Sequence, residues 1–188
     1  MMYEQEDIEL ALETLRKGGL LLYPTDTIWG IGCDATNRSA VEKVYALKKR
    51  EDTKALIVLV AEERDIYEYT AAPDPEIFDY LERTSRPTTV VYQGALGLAE
   101  NLIAQDGSVG IRICRDPFCR ALIKRLQKPM VSTSANISGQ PAPGWFGEVS
   151  EEVKSGVDYI VKYRQDDREP ATPSSVVRFR QGQVEILR

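Results

Sequence analysis

Apolar positions along the chain switch between helical and strand periods. Ile8, Ala11, Leu12 and Leu15 recur at helical spacing, and Gly18-Gly19 supplies a stop signal. Positions 20–23 predict a buried strand that ends at Pro24, where a polar segment begins. Asn37 is placed to cap a second helix whose inner face is Val41, Val44 and Tyr45, and which ends in Lys48-Lys49-Arg50. The unbroken apolar run 56–60 has strand length. A helix over about 62–69 and another opening at Asp74-Pro75 come next. The β-branched run 88–92 and the alternating run 108–113 predict strands, with a loop containing one helical turn between them. Asp116-Pro117 opens a helix through Leu126. Met130-Val131 leads a short strand into a hydroxyl-rich stretch, and Ser150 caps a short helix through Lys154. Strands at 159–162, 175–179 and 184–187 finish the chain, the last two turning at Gln181-Gly182. The intermingled elements predict one α/β domain over 1–188, built on a mixed sheet. The charged, then proline-rich segment 163–173 is expected to be a mobile loop.

Composition changes this picture mainly by what it removes. The 188 residues are 43% apolar and 28% charged, enough for a real core and ordinary for a globular chain. With 24 Lys plus Arg against 29 Asp plus Glu, the formal charge is −5, which excludes a general basic coat for nucleic acid but not a local patch. There is no histidine. Serine and cysteine triads that use imidazole, His-containing zinc sites and imidazole proton relays are therefore excluded. Cys33, Cys114 and Cys119 form no C-x-x-C pair and read as small buried thiols. The N-terminus is acidic, and no apolar run approaches the roughly 18 residues of a membrane span. A soluble, cytoplasmic protein with no membrane partner is expected.

Four segments carry candidate chemistry. Positions 24–32 read Pro-Thr-Asp-Thr-Ile-Trp-Gly-Ile-Gly, directly after a strand, where α/β sheets bind ligands. The threonines also suit an ordinary hydroxyl turn. Positions 48–54 read Lys-Lys-Arg-Glu-Asp-Thr-Lys. Cations at a helix end complement its dipole, but Lys54 lies beyond the helix, so Lys48, Arg50 and Lys54 also suit a phosphate clamp. Positions 107–112 read Gly-Ser-Val-Gly-Ile-Arg, in which a charged Arg112 inside a strand needs an anionic partner, either a structural carboxylate or a substrate. Positions 132–139 read Ser-Thr-Ser-Ala-Asn-Ile-Ser-Gly, a polar stretch that suits either a ligand or local backbone bonds. No Walker-type phosphate loop is present.

In this order the four segments resemble the motifs of the YrdC-like family of threonylcarbamoyl-AMP synthases, in its short single-domain form. The resemblance runs from the first strand to Arg188. It implies a twisted mixed β-sheet with flanking helices, the YrdC/RibB-like fold, around a positively lined cavity. It implies an enzyme, a nucleotidyltransferase that joins L-threonine, bicarbonate or CO2 and ATP into threonylcarbamoyl-AMP, with release of pyrophosphate. Mg2+ accompanies the ATP. A downstream tRNA threonylcarbamoyl transferase then carries the group to tRNA.

The resemblance assigns roles by position. Thr27, Arg112, Ser132 and Ser174 match threonine-binding positions, with Arg112 on the carboxylate. Arg50 and Lys54 match positions on the nucleotide phosphates, and Lys48 begins the same basic, catalytic motif. Ser108, Ser134, Asn136, Ala142 and Arg188 match nucleotide contacts. The sequence also departs from the family pattern. Trp29 stands for a tyrosine, Ala55 for a proline and Leu59 for a polar threonine contact. Arg86 lies in a degraded Pro-Gly-Pro-Leu-Thr segment, and Pro173 precedes Ser174 where a glutamate is usual. The last two changes are similar to YciO-like paralogues, which form one alternative. A tRNA- or double-stranded-RNA-binding protein is the other, with Lys48, Lys49, Arg50, Lys54, Arg112 and Arg115 as its basic surface.

Overall fold

The computed structural model describes residues 2–50 and 56–188. The helices are α1 (Gln5–Arg16), α2 (Arg38–Lys48), α3 (Glu63–Tyr69), α4 (Glu76–Arg83), α5 (Pro117–Leu126) and α6 (Glu151–Gly156). The strands are β1 (Leu21–Tyr23), β2 (Gly30–Gly32), β3 (Ile57–Val60), β4 (Thr88–Tyr92), β5 (Val109–Ile113), β6 (Met130–Ser134), β7 (Tyr159–Ile160), β8 (Ser175–Arg180) and β9 (Gln183–Ile186). Single 3-10 turns cover Glu100–Leu102 and Phe146–Glu148. The described strands form one nine-stranded sheet in the order β7-β1-β2-β6-β3-β5-β4-β8-β9. The pairs β1–β7, β3–β5 and β4–β8 are parallel and the others antiparallel, so the sheet is mixed.

Local chemistry explains the ends of these elements. Asn37 Oδ1 accepts from the Ala40 amide and caps α2, Asp116 Oδ1 does the same for α5 from Cys119, and the Ser150 hydroxyl caps α6 from Val153. The polar segment after Pro24 also contains a strand that periodicity did not reveal, because β2 is only Gly-Ile-Gly. Gly32 is forced by its neighbours, since a Cβ there would collide with the Val131 carbonyl and the Tyr23 ring, while a Cβ at Gly30 would be a tight fit against the Ser132 hydroxyl and the Thr133 carbonyl. Likewise, β6 runs on through Ser134, so the hydroxyl-rich stretch begins inside the sheet.

The two faces of the sheet are covered unequally, and this creates the site. One face carries Leu22, Ile31, Val58, Ile111, Val90 and Val177, packed against α2, α3, α4 and α6. The other carries Leu21, Tyr23, Leu59 and Met130, packed against α1 and α5. Those two helices reach only part of the second face. Towards β8, that face presents Gly110, Arg112, Thr89, Val91, Val176 and Arg178 to a cavity instead. In a sheet with period-two side chains, these are the alternates of the core positions.

Segment 163–173 departs from the expected mobile loop. Its first half is tied down: the Tyr163 ring stacks on Phe118 with centroids 5.5 Å apart, and the amides of Lys162 and Tyr163 donate to Asp7 of α1. Arg164, with φ of 63°, donates to the Thr25 carbonyl at 2.9 Å and to Asp116 at 3.1 Å. Cys33, Cys114 and Cys119 are all buried free thiols. No helix among the described residues is long and apolar enough to cross a membrane.

Candidate active site

A cavity of about 820 Å³ lies on the open half of the sheet. Its deepest charged group is Arg112 in β5, only 3% exposed. Arg112 Nη2 forms an ion pair with Asp26 Oδ1 at 3.1 Å and donates to Thr27 Oγ1 at 3.2 Å. Its Nε is buried and has no hydrogen-bond partner among the described residues. Asp26 is held in turn by the Arg115 amide at 3.1 Å and the Cys114 thiol at 3.5 Å. The segment around Thr27 is therefore both a hydroxyl turn, with Thr25 Oγ1 accepting from the Thr27 amide at 3.0 Å, and a wall of the site. Ser132 lines the same end, and Ser174 Oγ shares a 2.8 Å hydrogen bond with Thr89 Oγ1. Arginine with clustered hydroxyls is chemistry for a small polar carboxylate.

The rest of the cavity is lined by Arg50, Ser108, Ser134, Ala142 and Arg188. Burial pulls the Arg50 guanidinium below its usual pKa. Arg188 Nη2 donates to the Ser174 carbonyl at 3.2 Å, which sets the C-terminal arginine beside the hydroxyl end. Thus nine of the twelve sequence-assigned residues border one space: Thr27, Arg50, Ser108 and Arg112, then Ser132, Ser134, Ala142, Ser174 and Arg188. Lys54 and Ala55 lie outside the described residues.

Two assignments are corrected. Lys48 does not line the cavity. It is 2% exposed, and its Nζ donates to the Ser134 carbonyl at 2.6 Å and the Asn136 carbonyl at 2.9 Å. Burial, and then the charge of Arg50, pull its pKa down to about 8. An ammonium enclosed by carbonyls is a brace under the 132–139 stretch, so Lys48 is a positioning residue. Asn136 is also committed to that stretch. Its Nδ2 donates to the Gln140 carbonyl at 2.7 Å, and its side chain does not border the cavity.

Two of the sequence departures fall away from the cavity. Leu59 is fully buried in the α1/α5 core, and Arg86 borders a separate, smaller cleft. Pro173 does line the site. The basic residues suggested for RNA do not share one surface. Lys48 and Arg112 are buried, Lys49 pairs with Glu152 at 2.7 Å, and Arg115 donates to the Ser85 and Thr84 carbonyls. Thr89 and Arg178 line the cavity and were missed. The signal that singled out Arg112, a polar residue alternating with core residues in a strand, also applies to both.

The Sua5/YciO/YrdC family model, described as telomere recombination, matches residues 13–188. A threonylcarbamoyl-AMP synthase of Pseudoalteromonas translucida is 30% identical over 85% of this chain and 87% of its own length. The crystal structure of P. abyssi Sua5 complexed with L-threonine superposes with a TM-score of 0.88 at 23% identity, covering all of this chain. The chain spans about half, 55%, of that longer protein. E. coli YciO superposes with a TM-score of 0.84 at 22% identity, over 98% of this chain and 89% of its own.

Proposed function

The chain belongs to the Sua5/YciO/YrdC family, and on that premise we propose that it is an L-threonylcarbamoyladenylate synthase serving threonylcarbamoyladenosine modification of tRNA. The observation that carries this reading is Arg112: a buried guanidinium, paired with Asp26, that borders the deep end of a cavity large enough for a nucleotide as well. L-threonine would place its carboxylate on Arg112 and its hydroxyl among Thr27, Ser132 and Ser174. ATP would fill the remainder, with its phosphates towards Arg50 and Lys54 and the nucleotide flanked by Ser108, Ser134, Ala142 and Arg188.

The chemistry requires no imidazole. The threonine amine adds to CO2 and loses a proton, giving a carbamate. A carbamate oxygen then bonds to the α-phosphorus, the bond to the bridging oxygen breaks, and pyrophosphate leaves. Such transfers are accelerated mainly by positioning and charge neutralisation, and the guanidinium groups here supply both. Among the described residues, no group of three or more acidic, cysteine or histidine side chains is placed to hold a metal ion. Mg2+ is assigned to the ATP, where it would neutralise phosphate charge. No covalent enzyme intermediate forms. The product would pass to a tRNA threonylcarbamoyl transferase, and the work is proposed to take place in the cytoplasm.

The test is pyrophosphate release from ATP, Mg2+ and bicarbonate, with and without L-threonine, in the wild type and Arg50→Ala. Release that needs both threonine and Arg50 is expected. A folded protein without threonine-dependent release would move the reading to a YciO-like paralogue.

A further inference from the structure

The cavity floor can be read as a row across the strands. In register, Ser132 of β6 faces Ile57 of β3, Ile57 faces Gly110 of β5, Gly110 faces Val91 of β4, and Val91 faces Arg178 of β8. With strands about 4.8 Å apart, the row is about 19 Å long, comparable to an extended nucleoside triphosphate. Its two ends differ in chemistry.

The β6 end offers hydrogen-bond donors. It has the Ser132 and Ser134 hydroxyls, with Arg50 alongside. That is an environment for phosphate oxygens.

The β8 end combines apolar surface with charge, for Arg188 lines it beside Ser174 as well as Arg178. Val91, Val176 and Ala104 give it apolar walls. Asp106 places a carboxylate there, with Oδ1 fixed by the Ser108 amide at 3.0 Å and hydroxyl at 2.5 Å. Arg178 lies within electrostatic reach of that carboxylate. Its Nε is buried and has no hydrogen-bond partner among the described residues. Apolar walls, flat guanidinium groups and an acceptor at the rim suit a planar heterocycle carrying N–H or O–H donors.

We propose that Arg178 is a specificity-determining residue that packs its guanidinium against the adenine of the bound nucleotide. This deepens the synthase reading and rests on its placement of ATP in this cavity. Guanidinium groups stack on aromatic faces, and Arg178 contacts the end of the nucleotide that does not react. Its contribution is therefore shared by every ligand carrying the base and absent from ligands lacking it.

Calorimetric titration of the full chain with ATP, AMP and inorganic pyrophosphate separates the two ends. Arg178→Met is expected to weaken ATP and AMP alike, each by about tenfold, and to leave pyrophosphate within twofold. Arg50→Ala is expected to weaken pyrophosphate. Arg178→Lys keeps the charge and stem without the planar face, so it too should weaken AMP, and it decides the matter if the methionine variant misfolds. Loss of pyrophosphate affinity in an Arg178 variant, or unchanged AMP affinity, would overturn the proposal, as would a wild type that does not bind AMP. A wild type that binds AMP through Arg178 but shows no threonine-dependent pyrophosphate release would keep this inference and remove the synthase reading.

Discussion

Asp26 Oδ1 and Arg112 Nη2 form an ion pair at 3.1 Å, with the two side chains 9% and 3% exposed. The carboxylate comes from the turn after β1 and the guanidinium from β5, so the pair ties the first motif to the third. It leaves Arg112 charged in a low-dielectric site, with Nε still uncommitted. Asp26→Asn keeps the shape and removes the compensating charge. Breaking a buried pair from one side costs about 3 kcal/mol. Urea unfolding should show a loss of that order, and the KM for L-threonine should rise about tenfold. An unchanged threonine KM in a destabilised variant would make Asp26 purely structural.

Thr89 and Ser174 share a hydroxyl–hydroxyl bond of 2.8 Å, both buried, across the β4–β8 pairing. The bond orients Ser174 towards the cavity. Thr89→Val preserves volume and deletes the partner, at a cost of about 1 kcal/mol. Threonine KM is expected to rise roughly fivefold, with the KM for ATP unchanged. Equal effects on both substrates would show that Thr89 supports the whole floor rather than the threonine end.

The residues legible in the sequence were those whose type is costly to place at random. Arg112 inside an alternating strand, and serines and threonines directly after apolar runs, announced themselves, whereas Ala142, Ser174 and Arg188 were marked only by the family resemblance. What was illegible depended on direction. Lys48 and Arg50 are two apart in one motif, yet Lys48 turns inward to brace the Ser134 and Asn136 carbonyls while Arg50 reaches the cavity. Residue type alone cannot separate an ammonium that binds phosphate from one that binds carbonyls. Strand β2 was hidden because its glycines answer to Tyr23 and to the Val131 and Thr133 carbonyls, neighbours fixed only in three dimensions. The anchoring of segment 163–173 was hidden because its partner, Asp7, lies over 150 residues away.

Lys48 gives the site a pH dependence. Burial and the nearby Arg50 charge hold it at about 8, against about 10.4 for an ordinary lysine. Between those values the unfolded chain binds more protons than the folded one, so the stability contribution of this group rises with pH across that window. Function runs the other way. A neutral amine has fewer protons to donate to the carbonyls it braces, so the 132–139 stretch loosens. Affinity for ATP is expected to fall as pH rises through about 8, and Lys48→Arg, charged throughout, should lack this limb. The same alkaline limb in the arginine variant would assign it to another group.

Trp145 and Arg168 join two segments that each supply a residue to the cavity. The Arg168 guanidinium lies 4.9 Å from the centre of the Trp145 ring, joining segment 139–148, which supplies Ala142, to segment 163–173, which supplies Pro173. Each side is fixed at its base. The Trp145 ring packs so closely over Gly147 that a Cβ there would collide with it, and Arg164 is bonded to Thr25 and Asp116. Only the exposed stretch beyond Asp167 is left to open. An exposed contact of this kind is worth about 0.5–1 kcal/mol, so removing it should raise the open population about two- to fivefold. Arg168→Ala is expected to speed proteinase K cleavage within 168–173 by that factor and to raise the ATP dissociation rate in parallel, with the global unfolding midpoint nearly unchanged. Saturating ATP should slow cleavage in the wild type and less so in the variant. Identical cleavage rates for the two proteins would mean that the Trp145–Arg168 contact does not gate the site, and the anchoring through Arg164 would then be what holds segment 163–173 in place.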